Sequence, residues 1–334
     1  MSDNIEVADV LYRHGDQYCR KYRISAEQLK VLNLIKICRT SALGGHLEQC
    51  DCCGYQRPAY NSCRNRHCPK CQTMAKEKWL NDRRAELLPC GYYHLVFTLP
   101  HEPNPLIMGN KKHLLGLLFK TAADVLQRFA KDPKWRLEGK MGFIGVLHTW
   151  SQILLDHFHL HCLVPAGVLA FDESSWIKAR EKYLFKTQAL AKAFKHRYIQ
   201  QLVCLYEAGK LEFTGQTAAL ASADGFGRMI CTVRKKNWIV YAKRPFAGPE
   251  QVLDYLGRYT HRVAISNDRI KTLQNGTVGF TYRDRADDSK KKLMTLEATE
   301  FIRRFLLHVL PDGFVKIRYF GFLAHRNKKR CIAL

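Results

Sequence analysis

Negative charge is scarce in this sequence: 30 Asp and Glu stand against 54 Lys and Arg, a formal excess of +24 spread along all 334 residues. Such a balance fits a polyanion partner, most often nucleic acid. Long apolar runs are missing too. No stretch of about 18 apolar residues, no amphipathic basic anchor and no signal-peptide pattern occurs, so a membrane is not the expected partner and the chain reads as soluble and intracellular. A GxxxxGK[ST] phosphate loop is absent, and with it any sign of a nucleotide cofactor. Internal repeats and long low-complexity tracts are absent as well.

Cysteine, by contrast, is plentiful, with 13 residues, seven of them between Cys38 and Cys71 and interleaved with histidines. Without export signals this block reads as a metal site rather than a disulfide framework. In "HLEQCDCCGYQRPAYNSCRNRHCPKCQ" the pairs Cys50/Cys53 and Cys68/Cys71 each form a C-x-x-C knuckle, and together they are expected to hold one structural Zn²⁺ tetrahedrally. Cys38, His46, Cys63 and His67 alternate with that set and could close a second zinc site. Four closed protein ligands make a scaffold and leave no position for catalysis. Arg57, Arg64, Arg66 and Lys70 surround the knuckles, where they could contact phosphate.

Ser25 and Gln28 form a capping-box pattern ahead of Leu29, Leu32 and Ile35 at helical spacing. Residues 72–88 read as a charged helix stopped by Pro89, and "YYHLVFTLP" at 92–100 as a strand, which sets a domain boundary near residue 90. A helix follows at about 111–130, strands at 142–152 and 157–164, and a long helix from Thr187 to Gly209. Beyond these lie a strand at 237–246, a helix beginning near Pro249, strands near 263–283, a helix at 297–309, a strand at 314–323 and the basic run Arg326 to Arg330.

The stretch "DHFHLHCLV" at 156–164 carries most of the chemistry. Side chains alternate along a strand, so His157, His159 and His161 share one face while Phe158, Leu160 and Cys162 share the other. Two imidazoles are enough to bind a divalent cation beside substrate. Gln152, at the end of the preceding strand, is a candidate third ligand through its amide oxygen if a short hairpin lays it beside His159. In "EQVLDYLGRYTHRVAIS", Tyr255 and Tyr259 stand one helical turn apart, with Arg258 and Arg262 close by. A phenol with a pKa of about 10 needs help to attack a phosphodiester at neutral pH. A cation on the histidine face and a neighbouring arginine would supply it.

Taken as a set, "GGHLEQCDCCG", "YNSCRNRHCPKCQ", "FTLP", "WSQ", "HFHLHCLVPAG", "YLGRYTHRVAISNDRI" and "RRFLLHVLPDGFVKIRYFG" resemble the two-tyrosine rolling-circle insertion-sequence transposases, relatives of the HUH replication initiators and relaxases. The likeness spans roughly residues 25–325. It implies an α+β fold, an HUH-endonuclease core of antiparallel sheet with helices packed on it, ferredoxin- or RRM-like, preceded by a small zinc-binding domain. Position by position, the HUH pair falls on His159 and His161, the catalytic tyrosines on Tyr255 and Tyr259, and a third metal ligand on Gln152. His157 becomes a flanking group near metal or phosphate.

The implied activity is nicking and joining of single-stranded DNA at element ends through a 5′-phosphotyrosine, with Mg²⁺ or Mn²⁺. The implied partners are the element ends and target DNA, and the implied location is the bacterial cytoplasm, with the nucleoid. A plasmid or phage replication initiator uses the same chemistry on a different target, and a non-catalytic zinc-containing DNA-binding protein is the alternative of another class. The expected organisation is a helical segment (1–37), a zinc-binding domain (38–75), a helical linker (76–90), an HUH domain (91–295) and a C-terminal helix, strand and basic tail (296–334).

Overall fold

The computed structural model describes residues 5–332 apart from 85, 181–182, 247–250, 252–256, 258–262 and 285. In chain order the described elements are α1 (Val7–Lys21), α2 (Ala26–Lys36), β1 (Gly45–Gln49), β2 (Gln56–Tyr60), α3 (Pro69–Arg84), β3 (Tyr92–Thr98), α4 (Asn104–Gly109), α5 (Lys111–Lys131), β4 (Gly139–Lys140), β5 (Phe143–Trp150) and β6 (Asp156–Pro165). They continue with β7 (Gly167–Ala170), β8 (Trp176–Lys178), α6 (Thr187–Glu207), α7 (Ala223–Lys235), β9 (Ile239–Phe246), β10 (Ile270–Gln274), β11 (Thr277–Asp284), β12 (Lys290–Glu297), α8 (Ala298–Leu307), β13 (Ile317–Phe320) and α9 (His325–Ile332). The α+β class with antiparallel sheets follows from these elements and their pairing.

The chain divides into two compact units, one comprising Met1–Trp79, Trp150–Leu155 and His261–Asp312, the other Leu80–Thr149, Asp156–Thr260 and Gly313–Leu334. The expected partition is corrected accordingly: residues from 263 to 312 fold with the N-terminal segment rather than with the strands at 91–165. The cause is shared burial, since Val10 and Leu11 of α1, Leu32 of α2, and Phe301 and Phe305 of α8 close over Phe280 of the sheet β10–β11–β12 in one apolar cluster.

Helix α2 starts as its sequence requires. Ser25 Oγ accepts from the Gln28 amide at 3.2 Å, and Gln28 Oε1 accepts from the Ser25 amide at 3.1 Å. The buried stripe is Val31, Leu32 and Ile35, while Leu29 stays exposed. The segment 150–155, from the last residue of β5 to the residue before β6, is also part of this unit: Leu154 is fully buried, and its carbonyl lies 3.1 Å from His308 Nε2.

In the second unit a five-stranded sheet has the order β13–β5–β6–β3–β9, which makes β6 central as the resemblance implies. Antiparallel register pairs Leu160 with Phe97 and Cys162 with Leu95 on one face. There α6 closes the core, Phe194 standing 5.0 Å from Phe97 and 5.3 Å from Trp238 by ring centroid. The basic run at 326–330 is helical in α9, where Lys328 pairs with Glu86 and Arg330 with Glu173, instead of forming a loose tail. Among the described residues no helix is long and apolar enough to cross a membrane.

Leu160 is fully buried between the histidine positions of β6. Leu160→Ala is expected to cost about 2–5 kcal/mol in urea unfolding through the cavity it leaves; a loss within about 0.5 kcal/mol, the range of ordinary surface substitutions, would contradict its role as the anchor of the strand.

Candidate metal centres

The cysteines gather in a different combination from the one their spacing suggests. Cys38 follows α2, Cys63 follows β2, and Cys68 and Cys71 stand at the start of α3. Their four sulfurs form one cluster. The Sγ separations Cys38–Cys71, Cys63–Cys71 and Cys38–Cys68 are each 3.6 Å. A tetrahedral zinc with bonds of about 2.3 Å sets its sulfurs about 3.8 Å apart, so the donor set fits the ion in chemistry and in scale. Burial pushes the Cys38 thiol up to about 11, and a hydrogen bond with Cys63 together with burial raises Cys68 further. Thiolates form in such a place where a cation compensates them.

The grouping of Cys50 and Cys53 with Cys68 and Cys71 is thus corrected, and so is the second set. The β1–β2 hairpin explains both. At its base the Arg39 amide donates to the Asn61 carbonyl at 3.2 Å, which brings Cys38 and Cys63 together. Strands of five residues then carry the turn roughly 15 Å away. The knuckle does form there, with Gly54 at φ +71°, and amides of Cys53 and Cys52 hydrogen-bonding to Cys50 lower its thiol pKa, but Cys50 and Cys53 are exposed.

His46 is also exposed on the hairpin, 3.7 Å from Glu48. His67 packs instead, its Nε2 accepting from the Leu310 amide at 3.4 Å. Arg66 is likewise committed to structure, donating to the carbonyls of Pro311 at 2.7 Å and Leu310 at 3.3 Å, with burial lowering its pKa. Arg64 is exposed with φ 52° and remains a candidate phosphate contact.

On the second unit's sheet, His159 lies opposite Thr98 and His161 opposite Val96, so all four share one face. His148 on the neighbouring strand β5 joins them, and the three imidazoles bring ligand nitrogens within 4.8 Å of one another. His148 is 3% exposed and His161 9%. His159 Nδ1 donates to the His157 carbonyl at 2.8 Å, an arrangement that places the His159 lone pair on Nε2. Three neutral imidazoles with small separations fit a divalent transition-metal cation.

The row extends further at both ends. His157 is 4.6 Å from His159 and 5.6 Å from His101 by ring centroid. On β3, His94 Nε2 lies 2.8 Å from His161 Nδ1, and burial, aided by the Lys243 charge, drives the His94 pKa down to about 3. The sequence reading missed His148 and His94. The signal was present in "GVLHTWSQ" and "YYHLVF", where each histidine interrupts an apolar strand.

Gln152 lies past the end of β5, in the loop that folds with the first unit, where its carbonyl accepts from Arg269 at 2.5 Å. Tyr255, Arg258, Tyr259 and Arg262 lie outside the described residues.

The cluster geometry separates two outcomes. Cys63→Ser and Cys68→Ser are expected to lower the zinc content of the purified protein, read by elemental analysis, whereas Cys50→Ser is expected to leave it unchanged. Loss of zinc from Cys50→Ser alone would restore the grouping read from the sequence.

Comparison with known proteins places these features in a family. Residues 142–330 match a family described as "Putative transposase", and residues 10–99 match one described as "Transposase zinc-binding domain". The chain is similar to "Putative transposase y4qJ" of Sinorhizobium fredii (strain NBRC 101917 / NGR234), with 47% identity over 98% of this chain and 82% of that protein. It is also similar to "Transposase for insertion sequence element IS801" of Pseudomonas savastanoi pv. phaseolicola, with 30% identity over 90% of this chain and 71% of that protein. No solved structure matches it. The chain belongs to the IS91-like transposases and carries their zinc-binding domain.

Proposed function

We propose that this transposase is of the rolling-circle type, nicking and joining single-stranded DNA at the ends of a mobile element through a 5′-phosphotyrosine. The observation that carries this reading is the gathering of His148, His159 and His161 on one sheet face. A divalent cation held by these imidazoles would polarise the scissile phosphodiester and offset its charge. An all-imidazole set favours Mn²⁺ or a later transition metal over Mg²⁺, and it is complete without Gln152.

In the proposed step the phenol oxygen of Tyr255 or Tyr259 forms a bond to phosphorus, and the bond from phosphorus to the 3′-oxygen breaks. The phenolic proton leaves to solvent, and the departing oxygen takes up a proton as a free 3′-hydroxyl. Bond energy is kept in the phosphotyrosine, so rejoining requires no nucleotide. Arg258 lies between the two tyrosines in sequence and Arg262 follows them, and both would steady the developing charge. His157, between His159 and His101 in the imidazole row, and Arg64 would contact the DNA backbone. A zinc held by Cys38, Cys63, Cys68 and Cys71 would act as a scaffold, since four protein thiols would leave it no position for catalysis.

The reading is tested on a labelled single strand carrying an element end, with Mn²⁺ and with EDTA. Tyr255→Phe combined with Tyr259→Phe is expected to abolish the covalent protein–DNA adduct seen on a denaturing gel, and an adduct that persists would contradict the assignment. His159→Ala and His161→Ala are expected to lower metal-dependent nicking about a hundredfold or more, and His157→Ala only to weaken it.

A further inference from the structure

The row of imidazoles continues past the proposed cation site to a residue with no assigned role. Since Val96 pairs with His161 and Thr98 with His159, His94, two residues before Val96 on β3, stands on the same sheet face. The rings of His94 and His161 are nearly parallel, 9° apart with centroids separated by 5.1 Å, and His94 Nε2 lies 2.8 Å from His161 Nδ1. His94 is 4% exposed and is not one of the three imidazoles whose nitrogens gather.

A neutral imidazole carries one proton, on either nitrogen. With the proton on Nδ1, His161 donates to His94 Nε2 and can ligate a cation through its own Nε2. With the proton on Nε2, that atom cannot ligate. We propose that His94 is a positioning residue for the cation site, accepting the Nδ1–H of His161 and so fixing both the tautomer and the orientation in which Nε2 is the ligating atom.

The same service is performed for His159 by the main-chain carbonyl of His157, 2.8 Å from its Nδ1. The two histidines of the pair are therefore oriented by different means, a main-chain carbonyl for His159 and a side chain for His161, and the His161 support can be removed by substitution. Partners of this kind are typically worth about 10–100-fold in metal affinity. The inference rests on reading His148, His159 and His161 as a cation site.

The test is Mn²⁺ binding to the zinc-loaded 334-residue chain, followed by electron paramagnetic resonance, together with ¹⁵N resonances of the histidines before Mn²⁺ is added. His94→Phe keeps a ring but removes the acceptor and is expected to weaken Mn²⁺ binding about 10–100-fold. His94→Gln, whose amide oxygen can accept the same proton, is expected to recover most of that loss. In the wild type the His161 proton is expected on Nδ1.

Wild-type affinity in His94→Phe overturns the proposal. So does a His94→Gln variant as weak as His94→Phe, because packing would then be the cause. A His161 proton found on Nε2 in the wild type overturns it too, and that measurement needs no variant to fold. His159→Ala is the control: if it binds Mn²⁺ as the wild type does, the cation-site reading itself fails, whereas loss in His159→Ala with no change in His94→Phe removes the role of His94 alone.

Discussion

A strand can turn a side chain toward a given face only at every second residue, and β6 uses that restriction to separate two kinds of chemistry. Phe158, Leu160 and Cys162 are buried on one face, with Leu95 and Phe97 of β3 beside them and α6 closing over the cluster. His159 and His161 are thereby held on the other. A slip of one residue in the register would exchange the two sets, placing imidazoles in the apolar core and Leu160 at the site. Packing of the apolar face, more than any contact among the histidines, sets where the imidazoles stand. Because β6 is the central strand, β5 and β3 can each add a histidine to the same face from either side.

The first unit solves a different problem by different means. A two-stranded hairpin is marginal in water, and β1–β2 is exposed along nearly its whole length. What secures its base is the cluster of four thiols, which joins the end of α2, the segment after β2 and the start of α3. Cys38, Cys68 and Cys71 are also part of the apolar cluster that holds α1, α2 and α8 around Phe280. A zinc held there and the core packing of this unit would therefore reinforce one another, since without the ion the thiols are buried and crowded in the middle of a helical core.

Much of this was legible in the residues. The capping box of α2, the alternation of β6, the class of the fold and the presence of a thiol-rich metal site each follow from a local pattern whose physical cause is local. What failed were pairings across sequence distance. The spacing of Cys50/Cys53 and Cys68/Cys71 describes two knuckles but contains nothing about the hairpin that carries the first pair away from the second. A third metal ligand was expected from Gln152, near the strand end, and nothing in the spacing of the residues pointed to His148, which β5 presents from within the strand. The union of residues from 263 to 312 with α1 was likewise invisible, because it depends on the match between the faces of helices far apart in the chain.

The proposed chemistry requires above all that His148, His159 and His161 hold one cation together. Anomalous diffraction from crystals of the full chain soaked in Mn²⁺ tests it most directly. A single peak within coordination distance of a nitrogen of each of the three rings is the predicted result. Mn²⁺ found at a site that excludes His159 and His161, in crystals where both rings are visible, would contradict it.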